Sequence, residues 1–84
     1  MNITLLYFGR PRENLRLSQE DVALPQAAAT VADLLAHLRA RGAGWAEELA
    51  EARVRCAVNQ ELCGLSAPLH EGDEVALFSP ISGG

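Results

Sequence analysis

Eighty-four residues, 49% of them apolar and 21% charged, are enough for one two-layer domain and too few for two. That balance, without any low-complexity segment or internal repeat, excludes a disordered chain and a solenoid. The formal charge of −4 argues against nucleic acid as a partner, because neutralising phosphates requires a basic face.

The first element is NITLLYF, apolar at almost every position from Ile3 to Phe8, which predicts a strand covered on both faces in the middle of a sheet. The run is far too short to cross a membrane and carries neither a basic start nor a cleavage site, so no membrane association is expected and the chain is placed in the cytoplasm. GRPREN, residues 9–14, gathers glycine, proline and charge and reads as a loop. LRLSQEDVALP holds a second, weaker strand that ends at Pro25, and a short loop would make the two strands a hairpin.

TVADLLAHLRARG predicts the main helix. Thr30 caps its N-terminus with Asp33 three residues on, a capping box with aspartate in place of glutamate. Val31, Leu34, Leu35 and Leu38 fall on one stripe, and Gly42 is placed to end the helix in a left-handed conformation. GWAEELAEAR predicts a shorter helical piece with Trp45 and Leu49 turned inward. VRCAVN alternates Val54, Cys56 and Val58 as one face of a strand, a turn follows at Asn59 and Gln60, and ELCGL is a short strand beyond it. A second turn at Gly72 and Asp73 leads into the last strand, VALF, which Pro80 stops.

The order is strand, strand, helix, short helix, strand, short strand, strand. It predicts an α+β fold: a two-layer β-grasp, or ubiquitin-like, domain over residues 1–79, with a mixed sheet packed on one main helix and the first and last strands as parallel neighbours. Residues 80–84 form a projecting tail that ends Gly83–Gly84. On composition alone such a glycine tail reads as a frayed end or a linker.

Few side chains suggest catalysis. His37 lies off the apolar stripe, one turn after Asp33, and reads as a solvated residue in contact with it; His70 precedes a turn with no ligand or nucleophile partner. Glu47, Glu48 and Glu51 read as a solvated helix face, and Asp73 with Glu74 as turn residues rather than metal ligands. Cys56 and Cys63 match no metal spacing or disulfide framework and are expected as buried free thiols. All seven basic residues are arginine, so the chain offers no lysine amine for acylation or Schiff-base chemistry.

LLYFGRPRE, the capped helix from Thr30, CAVNQEL, PLHEGDEVALFSP and the terminal GG stand in the order and spacing of the sulfur-carrying small subunits of molybdopterin synthase, which the chain resembles end to end. The resemblance implies a sulfur carrier in molybdenum cofactor biosynthesis, a non-catalytic sulfur-donating subunit of a heterotetramer. A ubiquitin-activating-type adenylating enzyme, using ATP, converts the terminal carboxylate to an acyl-adenylate, and a sulfur donor leaves a thiocarboxylate. The large synthase subunit then takes in the tail, and the sulfur attacks a cyclic pterin precursor. No cofactor is expected to bind this chain stably; the ATP is used by the adenylating partner.

Carried over by position, Gly84 bears the sulfur. Gly83 threads a channel too narrow for a side chain, or acts only as a flexible spacer, and Pro80, Ile81 and Ser82 form the arm that partners grip. Phe8, Leu62 and Phe78 match an apolar patch that docks on both the adenylating enzyme and the large subunit. Strand alternation agrees, setting Phe78 opposite Val75 and Leu77, and Phe8 opposite Ile3, Leu5 and Tyr7, although a small sheet can bury phenylalanine on either face. A carrier for thiamin thiazole synthesis and a ubiquitin-like protein modifier share the fold and the glycines. Thiazole carriers are usually shorter and lack the GWAEELAEAR region, and a plain ubiquitin-like binding module would need no free C-terminus.

Overall fold

The computed structural model describes residues 1–80. Strands β1 (Asn2–Tyr7), β2 (Gln19–Ala23), β3 (Arg55–Val58), β4 (Glu61–Cys63) and β5 (Glu74–Phe78) form one sheet, and helices α1 (Gly9–Leu15), α2 (Val31–Arg39) and α3 (Ala43–Glu48) occupy the connections. The sheet order is β2-β1-β5-β3-β4, with β1 and β5 parallel and every other pair antiparallel. This is the expected β-grasp arrangement.

The main helix starts where its chemistry dictates. Asp33 N–H donates to Thr30 Oγ1 at 3.3 Å, and Thr30 N–H and Ala29 N–H donate to Asp33 Oδ2 at 3.1 and 2.9 Å. Two further first-turn donors, Val31 N–H and Ala32 N–H, reach Ala67 O and Leu65 O, so the helix is fixed to the chain between β4 and β5. Val31, Leu34, Leu35 and Leu38 are then fully buried in one cluster with Ile3, Leu5, Tyr7, Cys56, Val75 and Leu77.

That packing explains why β1 departs from the prediction of cover on both faces. Ile3, Leu5 and Tyr7 are buried while Thr4 and Leu6 are half-buried, an alternation that follows from a helical layer on one side of the sheet only.

GRPREN is a helix rather than a loop. The chain turns out of β1 at Gly9, whose φ of +61° favours glycine. Pro11 falls in the first turn of α1, where its missing N–H has no helical acceptor to lose. The helix stops when Arg16 turns left-handed at φ +56° and its N–H closes on Arg12 O. Seven residues are too few for an apolar period to declare itself.

Gly42 also differs from expectation. α2 ends in right-handed geometry at Ala40, and Gly42, at φ 157° and ψ 176°, is instead the N-cap of α3, its carbonyl accepting Ala46 N–H at 3.0 Å. As predicted, Leu49 is fully buried, and Trp45 packs against the core.

The β3–β4 hairpin turns on Asn59 and Gln60, both at positive φ. Asn59 ties this turn to β5: its N–H donates to Glu74 O at 2.7 Å, Glu74 N–H donates to its Oδ1, and its Nδ2 donates to Asp73 Oδ1. The turn before β5 is held in the same way by Asp73, whose Oδ2 accepts His70 N–H at 2.8 Å.

Candidate functional site

Among the described residues no helix covers one face of the sheet, and the strand register decides what that face displays. Leu6 pairs with Ala76, Ala76 with Ala57, and Ala57 with Leu62, so one apolar row crosses β1, β5, β3 and β4. The next row pairs Phe78 with Arg55, and Phe8 joins it at the end of β1, its N–H donating to Leu77 O at 3.0 Å. Phe8 is 45% exposed, Leu62 79% exposed and Phe78 half-buried.

The three patch residues expected from sequence therefore lie on the open face and outside the core cluster. Half-buried Leu6 and Ala76, and Ala57, which is buried beneath its neighbours, complete the row and were missed. Each follows from alternation within its own strand, but their alignment depends on a register that sequence does not show. An apolar surface of this kind is costly to leave in water and suits a protein partner.

The last described residues lie at the same end. β5 stops at Phe78, and Ser79 and exposed Pro80 border an open surface cavity of about 220 Å³ together with Arg10, Glu48, Ala52 and Arg53. Ile81, Ser82, Gly83 and Gly84 lie outside the described residues. Pro80, the last described residue, thus stands close to the aromatic end of the apolar face.

Behind the face, a polar node fastens β1 and β2 to the segment after α2. Tyr7 OH donates to Glu20 Oε2 at 2.7 Å, and Arg41 clamps the same carboxylate through two bonds of 2.8 and 3.0 Å. The Arg41 guanidinium lies 4.5 Å from the Trp45 ring centroid, and the Trp45 ring meets Tyr7 edge-on at 6.0 Å. Burial, reinforced by the bond to Glu20, pushes the Tyr7 hydroxyl far above its ordinary pKa. Burial opposes ionisation of Glu20 as well, but the bonds from Arg41 and Tyr7 and the charge of Arg41 together hold its carboxyl below the usual range. A neutral phenol and a clamped carboxylate serve as supports, not as acid and base.

The remaining candidates have structural places. His37 is exposed, and Asp33 is committed to the helix cap rather than to contact with it. His70, its side chain 76% exposed, stands 3.8 Å from Asp73 at the turn. Glu48 corrects the expectation of a solvated acidic face: it is only 9% exposed, accepts from Asn14 Nδ2 at 2.7 Å and has Arg10 at 4.0 Å. The reason is that α1, unforeseen as a helix, packs against α3. Cys56 is a buried free thiol as expected, whereas Cys63 is half-buried. Among the described residues, no group of three or more His, Cys, Asp or Glu side chains is arranged to hold a metal ion.

Comparison with known proteins extends this picture. The model of the ThiS family matches residues 5–84. A protein of Escherichia coli K12 named molybdopterin synthase sulfur carrier subunit is 38% identical over 82 residues, covering 98% of this chain and 99% of that one. Among solved structures, the putative molybdopterin converting factor subunit 1 of Pyrococcus furiosus superposes with a TM-score of 0.78 at 27% identity, over 96% of this chain and 99% of that one. A chain in the complex of subunits 1 and 2 of the molybdopterin-converting factor of Helicobacter pylori matches with a TM-score of 0.67 at 24% identity over the whole of both chains, a likeness of fold.

Proposed function

The chain belongs to the ThiS family, and from that membership we propose that it is the sulfur carrier subunit of a molybdopterin synthase, bearing its sulfur on Gly84. The observation that carries the reading is the continuity of the bare apolar face with the start of the tail: Phe8 and Phe78 stand where Ser79 and Pro80 leave the sheet. A partner seated on that face would find the arm at the edge of its footprint. The end-to-end match to a molybdopterin synthase subunit, α3 included, favours this function over thiazole synthesis.

The chemistry follows from the poor reactivity of a carboxylate. A carboxylate resists nucleophiles, and an acyl-adenylate does not. An adenylating enzyme of the ubiquitin-activating type docks on the face, spends ATP on the Gly84 carboxylate and releases pyrophosphate. A sulfur donor displaces AMP, leaving a thiocarboxylate. The large synthase subunit then uses the same face and draws in Pro80, Ile81, Ser82 and Gly83 so that the sulfur reaches a cyclic pterin precursor. Each dithiolene takes two sulfurs and consumes two charged carriers, which suits a heterotetramer with two small subunits. The domain itself contributes recognition and reach, and the catalytic groups belong to its partners.

Extending the chain by one alanine after Gly84 tests this reading. With ATP, adenylating enzyme and sulfur donor, the native chain gains the mass of one oxygen-to-sulfur exchange, localised by fragmentation to Gly84. The extended chain still binds the large subunit but gives no molybdopterin, since a misplacement of about 1 Å already costs about a hundredfold in rate. Equal product from both chains, with the extension intact by mass, would refute the carrier role.

A further inference from the structure

The β3–β4 register that aligns the outer apolar row also sets Cys56 opposite Cys63. Both side chains are on the core face, and their Sγ atoms stand 3.7 Å apart. Paired residues of antiparallel strands have Cα atoms about 4.5–5.5 Å apart, inside the range of about 4.4–6.8 Å that disulfides span. Bond formation therefore requires the sulfurs to approach by about 1.6 Å, a matter of small side-chain rotations.

The two thiols are not equivalent. Cys56 is buried, and its pKa is pushed up by that burial and by the bond to Cys63, so it stays protonated. Cys63 is half-buried, and both cysteines line an open cavity of about 160 Å³ that also holds Arg55 and Glu51. One thiol is thus placed to react first with a small molecule and the other to resolve the product.

We propose that Cys56 and Cys63 form a two-electron redox site that reduces a hydroperoxide and closes to a cross-strand disulfide. The Cys63 thiolate attacks a peroxide oxygen, the O–O bond breaks, and a sulfenic acid forms while the leaving oxygen takes up a proton. The Cys56 sulfur then attacks the sulfenic sulfur, the S–S bond forms, and the S–O bond breaks, with the Cys56 proton leaving as part of water. With hydrogen peroxide, two thiols are oxidised and the peroxide becomes two waters. A dithiol reductant reverses the closure. The disulfide ties the edge strand β4, which carries Leu62 on its other face, covalently to β3.

The test uses the full, reduced chain and stoichiometric hydrogen peroxide, read by intact mass. The expected product is a monomer lighter by two hydrogens that no longer takes iodoacetamide, with fragmentation linking Cys56 to Cys63 and dithiothreitol restoring the original mass. Cys56→Ser, treated with peroxide and dimedone, gives one dimedone adduct at Cys63. Cys63→Ser gives none at Cys56 under the same exposure. Disulfide-linked dimers as the main product, two thiols still fully alkylated after treatment, or sulfinic acids on both cysteines would overturn the proposal. The native-chain measurement decides even if a serine variant fails to fold.

Discussion

Truncating Leu35 and truncating Leu62 should have opposite consequences, although both remove the same atoms. Leu35 is fully buried between α2 and the sheet. Leu35→Ala deletes three carbons worth about 0.8 kcal/mol each in transfer, or about 2.4 kcal/mol. The helix has little freedom to sink into the gap, because its first turn is held by the Thr30–Asp33 box and by the bonds from Val31 and Ala32 to Ala67 O and Leu65 O. A residual cavity of about 60 Å³ then adds about 1.4 kcal/mol, at about 24 cal/mol per Å³. The sum, about 4 kcal/mol, is a large part of the roughly 4–13 kcal/mol expected for 84 residues. Guanidinium titration should show it as a lower midpoint at unchanged slope, and melting should fall by about 15–30 °C. Leu62→Ala, at a position 79% exposed, should change stability by less than about 0.5 kcal/mol and weaken large-subunit binding. A Leu35→Ala loss under about 1 kcal/mol, or equal losses for the two variants, would refute the assignment of the two faces.

Two further outcomes are expected. Phe78→Arg should leave the circular dichroism spectrum intact and abolish co-elution with the large subunit, because the interface would bury an unpaired charge; an unfolded variant would place Phe78 in the core. For the Glu20 node the folded pKa is depressed, so its stabilisation is complete above the unfolded carboxyl pKa of about 4.3 and is lost as pH falls through the lower folded value. Glu20→Gln should therefore flatten the acid limb of the stability–pH curve, and an unchanged limb would mean that the Arg41 clamp does not persist in solution.

What the chain determines by itself is whatever depends on near neighbours. The Thr30–Asp33 cap, the Val31–Leu38 stripe, the turn at Asn59 and Gln60, and the side of its strand on which Phe8 or Phe78 falls are set by a few adjacent bonds, so composition and spacing record them. The end-to-end likeness to sulfur-carrying subunits drew on the same local signals in series. α1 escaped because a seven-residue helix opening Gly-Arg-Pro has too little periodicity and leans on α3 for its stability. With α1 went the burial of Glu48, and the short α2–α3 link gave Gly42 a different task from the one its position suggested. Register was decided at a distance as well. Sliding β3 against β4 by two residues would keep every side chain on its own face, yet it would separate Cys56 from Cys63 and break the row from Leu6 to Leu62. Alternation says which face a residue takes. Only the packing of five strands against one helix says which residue stands beside it.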